Sequence, residues 1–162
     1  MNVKDLITPV GIANYPYVTG QGDTAFSSEG QYHVKVTITK DAAEPLVQKI
    51  KSCIAAEVAD EHKRKPGIEK IKRAPLPFRE IGDDQIEFKF KSKFKPKIID
   101  KKKLPLGEDK TVWSGTTMAV KFDASSYNSA SLGVGCTLRL KGIQVVDLVE
   151  GSTATEGFEE IA

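Results

Sequence analysis

The chain has 162 residues, 40% hydrophobic and 28% charged, and its 24 Lys/Arg against 22 Asp/Glu leave a formal net charge of +2. This length supports one compact domain that buries roughly two-thirds of its unfolded surface without covalent staples. No apolar run of about 18 residues occurs, which excludes a membrane-spanning helix, and the composition excludes a coiled coil or a collagen-like chain.

The total conceals a charge separation along the chain. Residues 62–103 hold 15 Lys/Arg and 6 acids, a local +9, and the remainder carries −7. From residue 147 onward there are five acids (Asp147, Glu150, Glu156, Glu159, Glu160) and no base. A basic middle with an acidic end is the asymmetry that accompanies polyanion binding.

Residues 6–31 are dense in turn formers (Pro9, Gly11, Asn14, Pro16, Gly20, Gly22, Asp23, Gly30) with Tyr15, Tyr17 and Phe26 among them. They read as an extended N-terminal arm with short strand-like pieces. Tyr32, Val34, Val36 and Ile38 then alternate with His33, Lys35, Thr37 and Thr39, the period of a half-buried strand. Asp41 and Glu44 have the spacing of a capping box, and Pro45 falls near the first helical turn. Leu46, Val47, Ile50, Cys53, Ile54 and Val58 recur at helical spacing, so a helix is expected over about 42–62.

The period returns to two at Ile86. Ile86, Phe88, Phe90 and Phe94 share one face, interrupted by Ser92, while Glu87, Lys89, Lys91, Lys93 and Lys95 share the other; Pro96 should end the strand. Further strands are expected at 117–122, 134–141 and 143–149, with a bend at Gly142. One helix and five or six strands without regular alternation exclude a parallel α/β sheet. The fold expected is a small, mainly β, partly open barrel with one inserted helix. Residues 1–149 form one domain, and residues 150–162 a flexible acidic tail.

The N-terminus lacks the apolar core of a secretory signal. Cys53 and Cys136 are too few for a disulfide framework and sit in apolar patterns. A reducing cytoplasm is the setting expected.

Lys89, Lys91, Lys93 and Lys95 at consecutive i+2 positions predict a straight row of ammonium groups over about 20 Å. Such a row repels itself until a polyanion neutralises it and releases counterions. The competing reading is an edge strand guarded by lysines. Single-strand binding also needs stacking groups; Trp113, near a turn, and Tyr127, in the polar run Ser-Ser-Tyr-Asn-Ser, are the leading candidates. Lys72, Arg73 and Arg139 are further backbone contacts. His33 and His62 have no nucleophile near them, no Cys/His spacing suits zinc, and neither metal nor cofactor is expected. Asp83-Asp84 followed by Glu87 and Lys89 has the residue types of a Mg²⁺-dependent nuclease, but its short spacing fits a turn opening a strand. The chain is expected not to be an enzyme.

Several segments carry a resemblance to a known family. They are 8–17 (Thr-Pro-Val-Gly-Ile-Ala-Asn-Tyr-Pro-Tyr), 30–38 (Gly-Gln-Tyr-His-Val-Lys-Val-Thr-Ile), Pro77-Phe78, 88–91 (Phe-Lys-Phe-Lys) and 120–122 (Val-Lys-Phe) with Tyr127 downstream. Residues 133–140 (Gly-Val-Gly-Cys-Thr-Leu-Arg-Leu) and 145–148 (Val-Val-Asp-Leu) complete the set. In order and spacing the chain resembles the OB-fold single-stranded DNA-binding proteins of tailed bacteriophages. The resemblance implies a five-stranded OB-type barrel that coats single-stranded DNA in phage replication and recombination, in the cytoplasm of the infected bacterium, without a cofactor. It also implies an acidic C-terminal tail that contacts replication proteins. Two departures stand out. The last residues are Glu159-Glu160-Ile161-Ala162, with no dense acidic run, which leaves open a minimal tail or a shortened chain. Tyr127 is followed by Asn128 and Ser129, so a second stacking group there is unmatched. The oligomeric state, monomer or homodimer, is left open.

Overall fold

The structure, a computed structural model, describes residues 2–18, 31–68, 70–107, 110 and 112–148. Its elements in chain order are β1 (Asn2–Ile7), β2 (Gly11–Tyr17), β3 (Tyr32–Thr39), α1 (Lys40–Arg64), β4 (Phe78–Ile81), β5 (Gln85–Ser92), β6 (Lys97–Ile99), β7 (Thr117–Ser129) and β8 (Gly133–Asp147). The expected tail lies outside the described residues.

Five strands close a ring. β2 pairs with β3, β3 with β5, β5 with β8, β8 with β7, and β7 returns to β2. All these contacts are antiparallel except β5–β8, which is parallel and rests on the single pair Lys91–Arg139. That order with one parallel seam is the OB arrangement, partly open at the seam. The opening is filled by the segment before β4. Arg73 bridges to Val134, and the carbonyl of Pro77 accepts the Lys89 N–H at 2.9 Å.

The first residues are not an arm over their described length. β1 and β2 lie end to end along β7, which meets β1 at Lys121–Ser125 and β2 at Thr117 and Met118. Thr8, in the break between them, keeps the ladder whole. Its N–H donates to the Val120 carbonyl and its buried Oγ accepts the Val120 N–H, both at 2.9 Å.

β8 is also longer than expected. The bend predicted at Gly142 is a register shift within one strand: Lys121 faces Gly142 and Phe122 faces Leu140, so Lys141 is the extra residue of a bulge.

The core is the ring's interior. Val34, Val36, Ile38, Phe88, Phe90, Phe122, Leu138 and Leu140 are buried, and the Phe90 and Phe122 rings meet at 4.9 Å between centroids. Each such side chain contributes roughly 1.5–3 kcal/mol by leaving water. α1 closes the floor with Leu46, Val47, Ile50, Cys53 and Ile54, packed against β7 and β8.

The helix starts two residues earlier than expected, and the capping box is not formed. Thr39 is the N-cap and makes no side-chain cap bond, while Glu44 accepts from Gln48 instead. The Lys40 N–H is satisfied by the Asp84 carbonyl at 2.7 Å, so the β4–β5 turn does what the Asp41 side chain was expected to do.

Candidate nucleic-acid interface

β3 and β5 align residue for residue: His33 faces Lys91, Val34 faces Phe90, Lys35 faces Lys89 and Thr37 faces Glu87. Because side chains alternate across a strand, Val34 and Phe90 go inward while His33, Lys35, Lys89 and Lys91 share the outer face. Directly opposed residues lie about 4.5–5.5 Å apart between Cα atoms. The result is a two-dimensional basic patch rather than a line. Arg139 on β8 extends it beside Lys91.

Side-chain ion pairs among the described residues fall at Lys40, Arg64, Lys65, Arg79, Lys121 and Lys141, and at none of Lys35, Lys89, Lys91 or Arg139. Lys141 shows the contrast. Asp5 accepts its hydrogen bond at 2.6 Å and holds its pKa above the ordinary value. That lysine is already neutralised from within the fold.

The predicted four-lysine row does not survive intact. β5 ends at Ser92, which is buried, and Lys93 and Lys95 lie beyond the strand. Between the pairs Lys91–Arg139 and Lys97–Gly142, the β5–β6 side advances six residues while β8 advances three. The surplus leaves the sheet as an outward bulge. Its backbone is fixed where Ser92 Oγ accepts the Phe94 N–H at 3.0 Å, and by the burial of Pro96. Phe94, expected in the core, is therefore 69% exposed, and the Arg139 guanidinium stands 5.7 Å from its ring centroid.

Trp113 is half exposed on a loop held against β2 by three bonds. The Gly115 N–H donates to Ala13, the Ala13 N–H to Thr116, and the Tyr15 N–H to Ser114 Oγ. Tyr15 is exposed as well, so two aromatics flank the patch on the β2 side.

Tyr127 is not in a loop. It lies on β7 opposite Gly135, half buried, and its ring covers the glycine: a Cβ there would stand 2.5 Å from the phenolic oxygen and 2.9 Å from Ala74 Cβ. Lys72 and Arg73 are exposed beside it, with Lys72 Nζ donating to the Ser131 carbonyl. Tyr127 and Lys72 thus form a second basic-aromatic group at the β7–β8 turn, Tyr127 on the outer face that Arg139 shares, while Arg73 lines a cleft with Lys51, Ile54 and Ala55 of α1.

The acidic constellation is also separated. Glu87 is 7% exposed and accepts from Arg79 Nε at 3.1 Å, while Asp83 and Asp84 are exposed in the β4–β5 turn. Among the described residues no group of three or more His, Cys, Asp or Glu side chains could hold a metal ion.

Lys35 and Phe94 were not singled out from the sequence as site residues. The alternation in 32–39 put Lys35 on a polar face, but only the β3–β5 pairing puts it beside Lys89. For Phe94 the alternation pointed the wrong way.

Among the described residues the chain is an OB-type ring of five strands with one helix and a basic outer face flanked by exposed aromatics. No family model and no curated protein sequence matches it. Solved structures do. Gp2.5, a single-stranded DNA-binding protein encoded by bacteriophage T7, superposes with a TM-score of 0.76 at 21% identity, over 98% of this chain and 99% of that one. The single-stranded DNA-binding protein of bacteriophage Enc34 in complex with single-stranded DNA gives 0.62 at 12% identity, over 92% and 86%. Its C-terminally truncated form gives 0.59 at 13%, over the same shares. At these identities the likeness is one of fold, and it runs nearly end to end.

Proposed function

We propose that this protein binds single-stranded DNA with little sequence preference, as part of phage DNA replication and recombination. The observation that carries the reading is the outer face of β3, β5 and β8, where Lys35, Lys89, Lys91 and Arg139 stand together outside any described ion pair, Asp123 opposite Arg139 being taken by Lys141, on a ring whose solved likenesses include a complex with single-stranded DNA. In an OB ring the second and third strands are the ones that face an oligonucleotide; here those are β3 and β5. Phosphates replace the missing acids, and counterion release supplies most of the affinity. Trp113 and Tyr15 at one flank, and Tyr127 with Lys72 and Arg73 at the other, are placed to take bases and further phosphates. Lys93 and Lys95 contribute from the bulge. The step is binding, with no bond made or broken, in the cytoplasm of an infected bacterium. Replication proteins are proposed as partners of residues 150–162.

Guarding an edge strand does not explain the lysines, because β5 is paired on both sides, with β3 on one and β4 and β8 on the other.

The test is a titration of fluorescent oligothymidine with a duplex competitor at two salt concentrations. Each neutralised phosphate on a single strand contributes a log–log salt slope of about −0.7, so three to four contacts should give about −2 to −3. Lys89→Glu with Lys91→Glu should reduce the affinity at least ten-fold. Binding indifferent to salt, or competed equally by duplex, would overturn the reading.

A further inference from the structure

We infer that Phe94 and Arg139 together form a base-stacking platform at the open seam between β5 and β8. This rests on the proposed binding of single-stranded DNA and names a site within it that the strand alternation conceals.

A phenylalanine with 69% of its surface in water is unfavourable where the same strand offers a buried position two residues away, occupied instead by Ser92. The exchange is enforced by the bulge: six residues against three across the seam, the Ser92–Phe94 hydrogen bond, and buried Pro96 on the far side. Bulges re-aim side chains, and they concentrate beside functional sites. The ring therefore costs little backbone ordering on binding, since the segment that presents it is already tied.

Arg139 reaches the ring at 5.7 Å, within cation–π range. With the guanidinium over one face of the ring, the other face is left to a base, whose own π-face stacks irrespective of sequence. The charges around it suit the backbone of the same nucleotide. Lys91 is opposite Arg139, Lys93 precedes Phe94, and Lys95 follows it; all are exposed, without a described acidic partner. The aromatics chosen from the sequence stand elsewhere, with Trp113 beyond β2 and Tyr127 at the β7–β8 turn, so neither serves this part of the face.

The experiment compares fluorescent oligothymidine with an abasic strand of equal length. Wild-type protein should prefer the strand with bases. Phe94→Ala should weaken oligothymidine binding about five-fold or more, the lower end of what one stacked base contributes, and leave the abasic strand unchanged. Phe94→Trp should retain the preference. The exposure of Phe94 allows all three proteins to fold, which far-UV circular dichroism verifies. If Phe94→Ala leaves oligothymidine binding unchanged, or weakens both strands equally, the platform is overturned while single-strand binding stands. If wild-type protein binds neither strand, the broader reading fails and the platform with it.

Discussion

Gly133 opens β8 at a φ of +91°, and a Cβ there would collide with the carbonyl of Lys72. Both facts trace to one contact: the Val134 N–H donates to Lys72 O and the Ala74 N–H to Val134 O, each at 2.9 Å, drawing residues 72–74 onto the strand. Gly133→Ala must therefore find room against backbone as well as adopt a left-handed conformation, which costs an L-residue roughly 1–2 kcal/mol alone. The expected loss is about 2–4 kcal/mol, read from the urea midpoint with an unchanged slope. Gly135 is different in kind. The atoms in its way are the end of the Tyr127 side chain and Ala74 Cβ, so Gly135→Ala should displace that ring, press on residues 72–74, and weaken DNA binding as well as stability. Gly133, Gly135 and Gly142 mark in the sequence a strand that coils sharply. That they admit a second segment and an aromatic ring is not legible there, because the partners lie about 60 residues away at 72–74 and across the hairpin at Tyr127.

Elements set by local pattern emerge where the pattern put them. The alternation of 32–39 is β3, and the helical spacing from Leu46 to Ile54 is the buried stripe of α1. Elements whose ends depend on distant partners do not. β5 stops at Ser92 although its alternation runs on through Phe94, because its register against β8 forces a bulge that the strand's own sequence does not encode. The end of α1 is likewise decided from outside. Glu61 is 7% exposed, accepts from Asn128 Nδ2 on β7, and pairs with Lys65 at 3.2 Å and Arg64 at 3.4 Å. Together with Glu57, which takes Arg64 at 3.0 Å, it pins the last turns to the ring. Arg64 and Lys65 are solvent-exposed, so their loss alone matters little; Asn128 is exposed too, and the buried end of the arrangement is the Glu61 carboxyl. Glu61→Ala should cost roughly 0.5–1.5 kcal/mol by removing the bond that ties the helix to Asn128, whose amide water can then reach, and Glu61→Gln clearly less. Hydrogen exchange should speed at the C-terminal turns of α1 in the first variant and barely change in the second.

Over the whole molecule, charge is sorted by face, which is why the formal +2 is uninformative. The basic segment at 62–103 supplies β5 and its bulge, where lysines stand open, whereas acids occupy positions that fasten elements together. The furthest-reaching of these ties joins the start of the chain to its last strand. Asp5, at a φ of +58°, takes Lys141 at 2.6 Å and Lys121 at 3.7 Å, and its N–H donates to Asp123, which also pairs with Lys141. β1 is the edge strand held by this knot, and the ring is complete without it. The hydrogen bond from Lys141 is the main cause that holds the Asp5 carboxyl below its ordinary value of 3.8. A lowered carboxylate pKa means the folded state releases that proton more readily than the unfolded one. Its stabilisation is complete above pH 3.8 and is lost as pH falls from there through the folded value. Asp5→Asn keeps a residue that tolerates the left-handed conformation and removes the titration. Wild type should therefore be the more stable protein at neutral pH, and the difference should shrink as pH falls below about 4. Urea midpoints of both proteins from pH 7 to pH 3 measure this directly. No difference at any pH would show that Asp5 acts through its backbone bond to Asp123, which asparagine keeps, rather than through its charge.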